Sequence, residues 1–180
     1  QEGYIVKNDA GKYGLIAKDT STVLDFKYDD IKNISSNNYY VVIENGVQEV
    51  VTIDGKVVLT SGFDSVEGIK ANNFIIIENG KYGVIDDKGE QIIKPEYEDV
   101  KFGTVDSFVA QKDGKVGSIK KDGTVAVDFK YQRVNYIESA DFFQAEKDNY
   151  KTDVITREFN VALEDVIISE MNIEDGYLRV

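Results

Sequence analysis

Apolar and polar positions along the chain alternate in short runs, and no stretch holds a helical period over a helix length. Phe74–Ile77 and Tyr39–Ile43 are apolar runs of strand length, and each is closed by Asn-Gly, at Asn79-Gly80 and Asn45-Gly46. Asn-Gly favours a two-residue type I′ turn, because both central residues need positive φ. The pattern around Asn79-Gly80 therefore predicts a hairpin, Phe74–Glu78 against Lys81–Asp86. Asp54-Gly55, Asp87-Lys88-Gly89 and Asp122-Gly123 mark a second turn in successive segments, and a third strand follows, Glu90–Lys94. Pro95 breaks the ladder there, since it has no N–H to donate. Tyr97–Lys101 reads as a short fourth strand or a tight corner.

The segments repeat. The first turn recurs at Gly11, Gly46, Gly80 and Gly114, 34 or 35 residues apart, and one more step reaches Asp148. An aromatic opens units at Tyr40, Phe74, Phe108 and Phe142. A second aromatic column holds Tyr28, Phe63, Tyr97 and Tyr131, and an aliphatic column holds Ile31, Val66, Val100, Val134 and Ile168. Columns kept in register over this spacing are the signature of a repeat architecture. They define five units, roughly 4–38, 39–72, 73–106, 107–140 and 141–175, in a single repeat domain over 1–180. The fifth is degenerate, and residues 177–180 start a truncated sixth. Degeneracy predicts fastest hydrogen exchange past Asp148. Each unit is a β-meander too small to bury its own apolar face, so neighbours must stack. Gly14, Gly83 and Gly117 share a column inside a strand, with Glu49 as the exception. We expect the unit's own ring (Tyr28, Tyr97, Tyr131) to lie over the space each glycine leaves; a plain β-bulge is the alternative.

The residues Gly80-Lys81-Tyr82-Gly83-Val84-Ile85-Asp86, then Lys88-Gly89, then Ile92-Ile93-Lys94-Pro95-Glu96-Tyr97-Glu98-Asp99-Val100, resemble the bacterial WG-type (KWG-like) β-repeat. Tyr82 and Tyr13 stand where that family usually has Trp. The first unit keeps Gly11-Lys12-Tyr13-Gly14-Leu15-Ile16, and the fourth keeps Gly114-Lys115-Val116-Gly117; the second has Gly46-Val47-Gln48-Glu49 instead. The resemblance implies a tandem binding or spacer module of exported or surface bacterial proteins, with no catalytic motif to carry over.

Composition narrows the chemistry. The 180 residues include 33 Asp+Glu against 21 Lys+Arg, a net charge of −12, with no His, Cys or Trp and one Pro. Without His or Cys there is no Ser-His-Asp triad, thiol nucleophile, ordinary zinc site or disulfide. The acidic balance argues against nucleic acid as a partner, and no apolar run has the roughly 18–20 residues of a membrane helix, so no direct membrane insertion is expected. The chain opens at Gln1 without a visible leader, which fits a trimmed extracellular or cell-surface protein.

Two groups of side chains are candidates for partner binding. Asp29, Asp64 and Glu98, followed by Gln132, form an acidic column that would meet a basic partner or a cation, or would simply keep sheet edges solvated. Tyr13 and Tyr82 (with Tyr39, Tyr136 and Tyr150) offer rings for sugar faces or a protein hot spot, or pack within strands. Carboxylate pairs such as Asp86-Asp87 alternate across a strand and do not converge, so no catalytic residue, metal ligand or cofactor is expected. The expected fold is all-β, a tandem array of about five β-meander repeats in an open twisted solenoid, with a small closed β-propeller as the alternative. Whether the first and last units touch distinguishes the two. The expected function is a non-enzymatic secreted or surface binding and scaffold module with a protein or glycan partner. A carbohydrate-binding accessory of a larger protein is the alternative.

Overall fold

A computed structural model describes residues 3–34, 39–60 and 63–168, and the backbone of 170–172 and 177–179. The ends expected for the first and fifth units, and Val180 of the sixth, lie outside the described residues. The described secondary structure is all β, in a succession of antiparallel meanders. The first sheet has three strands, β1 (Gly3–Lys7), β2 (Tyr13–Ala17) and β3 (Thr22–Tyr28). Four-stranded sheets follow. The second is β4 (Asp30–Asn33), β5 (Tyr39–Glu44), β6 (Val47–Thr52) and β7 (Val57–Thr60). The third is β8 (Ser65–Lys70), β9 (Asn73–Glu78), β10 (Lys81–Asp86) and β11 (Gln91–Tyr97). The fourth is β12 (Asp99–Phe102), β13 (Ser107–Lys112), β14 (Lys115–Lys120) and β15 (Val125–Tyr131), and the fifth is β16 (Arg133–Ile137), β17 (Phe142–Glu146), β18 (Thr152–Thr156) and β19 (Val161–Val166). A two-stranded pair closes the series, β20 (Glu170–Asn172) and β21 (Tyr177–Arg179). The domain expected over 1–180 is built as two compact bodies, Gln1–Pro95 and Glu96–Val180.

The sheets are out of step with the sequence units. Tyr97–Lys101, expected as a short fourth strand or a tight corner, holds a corner at Glu98, and Asp99–Phe102 form the first strand of the next sheet, not the fourth strand of their own. Each four-stranded sheet therefore takes its first strand from the unit before.

Alternation then explains the apolar runs. In the second sheet Tyr40, Val42 and Val51 pack with Leu15, Leu24 and Tyr28 of the first sheet. Val41 and Val50, pointing the other way, pack with Phe74 and Ile76 of the third. A sheet covered on both faces has no polar side, so β5 reads as a continuous hydrophobic run. The fourth and fifth sheets pack likewise, Val109, Val127 and Tyr131 against Val134, Phe143, Ala145 and Ile155. The predicted Asn-Gly turns form with positive φ at both residues, 53° and 79° at Asn45-Gly46 and 50° and 73° at Asn79-Gly80.

Three expectations are corrected. The glycine column does not make room for a tyrosine ring. Pairing passes from Tyr13↔Tyr28 to Leu15↔Leu24, so three residues of β3 face Gly14 alone, and β14–β15 repeats this at Gly117. The bulged backbone falls on the glycine: a Cβ on Gly117 would lie 2.5 Å from the Val127 carbonyl oxygen, and one on Gly83 would lie 2.8 Å from that of Ile93. The bulge reading is correct. Pro95 sits in that bulge, 2.9 Å from the same Cβ position, so β11 runs on to Tyr97 rather than stopping at Lys94.

The degenerate fifth unit, in turn, contributes three strands to a regular four-stranded sheet. Its buried aromatic is Phe143 and not Phe142, because the turn at Ile137–Asp141 is one residue longer than the pattern allows for. Phe143 and Ala145 are fully enclosed, so protection from exchange should extend through β18, and the fast region should begin in β19, whose side chains are exposed. Gly117→Ala should destabilise by about 1–3 kcal/mol through overpacking. Ala at Gly114, where the space beside the Cβ is open, should cost only about 1 kcal/mol for its positive φ. Urea unfolding of the two variants measures the difference.

Candidate functional site

The acidic column lies at the corners between sheets, and the carboxylates of Asp29 and Glu98 already have partners. At three corners an outer strand, β3, β11 or β15, ends on an aromatic (Tyr28, Tyr97 or Tyr131), and at all four the residue after the aromatic turns the chain into the following sheet. That residue's N–H donates to the second strand of the new sheet: Asp29 to Ile43 O (2.7 Å), Asp64 to Ile77 O (2.6 Å), Glu98 to Gln111 O (2.9 Å) and Gln132 to Glu146 O (2.8 Å). The side chains extend the stitch. Asp29 accepts from the Asn45 N–H at 2.7 Å and pairs with Lys12, so it bridges the first-turn hairpin tips of two neighbouring sheets. These contacts hold its carboxyl below the usual range, Lys12 most of all. Glu98 accepts from the Gly114 N–H at 3.0 Å, the same cap on another tip. At Asp64 the backbone carbonyl takes the contact, from the Gln48 amide. The column loses its acid at Gln132, and there Lys115 reaches directly to Asp148 on the next tip, at 3.0 Å.

The tyrosines are equally engaged. Tyr13 is half-buried against the core shared by the first two sheets, with the Lys7 ammonium 5.0 Å from its ring centroid. Tyr82 is half-buried in β10 opposite Ile77. The five predicted residues are spread over separate corners and strands rather than gathered in one pocket, and Glu98 belongs to a different compact body from the other four.

The sequence reading missed a buried polar cluster in the fifth sheet. The glycine column is defined by its neighbour on the preceding strand: Val6↔Gly14, Ile76↔Gly83 and Ala110↔Gly117. In the fifth sheet Ala145 faces Asp153. The loop Lys147–Lys151 is longer than an Asn-Gly turn, which displaces Asp153 from the expected spacing. Asp153 is 1 % exposed. Its carboxylate accepts from the Tyr131 hydroxyl (2.8 Å) and the Asp165 N–H (3.0 Å) and pairs with Lys147 at 2.7 Å. Lys147 also pairs with Asp165 at 2.8 Å.

Burial pushes the Asp153 pKa up, but Lys147, the Asp165 N–H and the Tyr131 hydroxyl outweigh it and hold the carboxyl below its ordinary value. Burial, reinforced by Asp153, raises the Tyr131 phenol, and the two aspartates raise Lys147. Among the described residues no three His, Cys, Asp or Glu side chains gather as metal ligands.

A family profile for the WG containing repeat matches residues 13–47 and 82–115. Two segments of the chain are thus similar to the WG repeat. Each matched WG segment begins on the third strand position of one sheet and ends past the second strand of the next, so a WG repeat is the piece of chain that joins two sheets. A comparison with curated proteins finds no match. Among solved structures the chain is similar to Kluyveromyces lactis Hsv2 (9 % identity, TM-score 0.48, covering 94 % of this chain and 64 % of that one). It is also similar to the WD40 domain of SCAP from fission yeast (12 %, 0.42, 93 % and 54 %) and to a protein of unknown function from Bacteroides caccae (12 %, 0.30, 88 % and 70 %). The chain thus spans less than two thirds of the length of the first two.

The sign of the pH response follows from the directions of the shifts. Asp153 has a depressed pKa, so its contribution is complete above the unfolded value, near 3.9, and is lost as pH falls through the lower folded one. Tyr131 and Lys147 have raised values, so theirs are complete below about 10 and are lost at higher pH. Asp153→Asn should flatten the acid limb of stability and cost roughly 1–3 kcal/mol at neutral pH, because it weakens the charge-assisted bonds to Lys147 and Tyr131 while Lys147 keeps Asp165. Urea unfolding at a series of pH values tests both expectations.

Proposed function

We propose that this chain is a non-enzymatic binding and scaffold module, secreted or displayed on a bacterial surface. The observation that carries the reading is the use made of its ionisable groups. The corner residues Asp29 and Glu98 cap hairpin tips of the neighbouring sheet, and the one buried carboxylate described, Asp153, is neutralised by Lys147. Acid and base groups tied up in this way support construction rather than turnover, and a succession of similar sheets presents repeated surface to an extended partner. No helix of the structure is long and apolar enough to cross a membrane. The extracellular placement rests on the resemblance to exported repeat proteins. The purified chain should bind a defined envelope protein or glycan and leave ester, glycoside and phosphoester reporters untouched. Hydrolysis of any reporter that is lost in Asp153→Asn or Asp29→Asn would contradict the reading.

A second reading, a carbohydrate-binding accessory of a larger protein, is favoured by one specific feature. Tyr150 is 93 % exposed at the tip of the fifth sheet's hairpin, unlike the half-buried Tyr13 and Tyr82.

A further inference from the structure

The fifth sheet departs from the repeat at several positions, and two of those departures, Gln132 and the Lys147–Lys151 loop, meet in one groove. Gln132 replaces the corner acid. Asp153 replaces the glycine. The loop Lys147–Lys151 replaces the Asn-Gly turn and carries Tyr150 at φ 62°, in the left-handed region that an aromatic side chain rarely adopts. Drift in a degenerate repeat would scatter such changes over the sheet. Instead, Gln132, the loop and Thr152 beside Asp153 line a single open groove of about 460 Å³, with Gln144 and Ile167 completing it. That volume lies within the range of small-ligand sites.

The lining selects the occupant. Its charged groups are already paired: Lys147 with Asp153 and Asp165, Asp148 with Lys115, and Glu146 with Arg133. Among the described residues, the side-chain amides of Gln132 and Gln144 have no hydrogen-bond partner. Each offers both a donor and an acceptor. Tyr150 adds an exposed ring and Ile167, 65 % exposed, an apolar edge. Free amides beside an exposed aromatic, with no free charge, match a ligand that is uncharged, rich in hydroxyls and has an apolar face.

We propose that this groove is a saccharide subsite for uncharged sugars, with Tyr150 as the stacking platform and Gln132 and Gln144 as the hydroxyl-reading groups. The proposal rests on the binding-module reading and adds a place and a ligand class to it. The buried Asp153–Lys147 pair acts as a positioning element beneath the loop, since it fixes Lys147 at the loop's base.

The test is titration of the full chain with short uncharged oligosaccharides of β-1,4-linked glucose, α-1,4-linked glucose and β-1,4-linked N-acetylglucosamine, followed by amide chemical shifts. At least one should bind with a Kd of about 1 mM or tighter and shift resonances at 144–152. Tyr150→Ala and Gln144→Ala should each weaken binding about tenfold or more, Tyr150→Phe should retain it, and Tyr82→Ala should leave it unchanged. Tyr150 is solvent-exposed, so the spectrum of its Ala variant reports folding directly. Failure of all three sugars to bind, or binding indifferent to Tyr150→Ala and Gln144→Ala, would overturn the proposal. So would a Tyr150-dependent protein partner with no sugar binding, and that last result would leave the binding-module reading standing.

Discussion

The structure depends on the corner where one sheet hands the chain to the next. There an outer strand, lengthened by its bulge over a glycine, ends on an aromatic, and the following N–H bonds to the second strand of the new sheet, as Asp29 does to Ile43 and Gln132 to Glu146. This backbone bond does not depend on the side chain, so the column tolerates Asp, Glu and Gln. The side chain then adds a second stitch where it can. The result is covalent and hydrogen-bonded continuity from sheet to sheet. No four-stranded sheet is encoded by one sequence unit, and a unit cut out at its sequence boundaries would carry three strands of one sheet and one of the next.

That continuity accounts for the composition. A sheet covered on both faces by its neighbours needs apolar residues at successive positions, so Tyr40, Val41 and Val42 follow one another without a polar residue. Solubility must then come from turns, edges and corners, which is where the acids lie. Asp29 and Glu98 also satisfy the N–H groups of hairpin tips, so those two acids are part of the framework. Exposed pairs of this kind contribute little each, and their value here is in fixing the register of neighbouring tips.

Much of this was legible in the sequence, because the signals were local. Asn-Gly turns, period-two alternation and the 34-residue spacing gave the strands and the hairpins. The phase of the sheets was not legible. A repeat has no intrinsic starting point, and only long-range pairing shows that Asp99–Phe102 begins a sheet. The glycine column was read from the sequence but its cause was not, since the three-against-one bulge opposite Gly14 is a pairing fact. In the fifth unit, small changes in loop length moved Phe143 and Asp153 off their columns, and the buried polar cluster was hidden by the same shift. Of the candidate side chains, the acids were placed correctly at corners, but their partners, Lys12 and the Asn45 and Gly114 amides, come from other strands. Tyr13 and Tyr82 are half-buried, and Tyr150, the exposed ring, stood out only in the structure.

The account makes the corner a structural joint rather than a flexible link, and native-state hydrogen exchange tests that most directly. The amides of Asp29, Asp64, Glu98 and Gln132 should exchange with the same free energy as the strand amides they bond beside, such as those of β5, β9, β13 and β17. Exchange at those four positions as fast as at the exposed loop around Tyr150, while the strands stay protected, would contradict it.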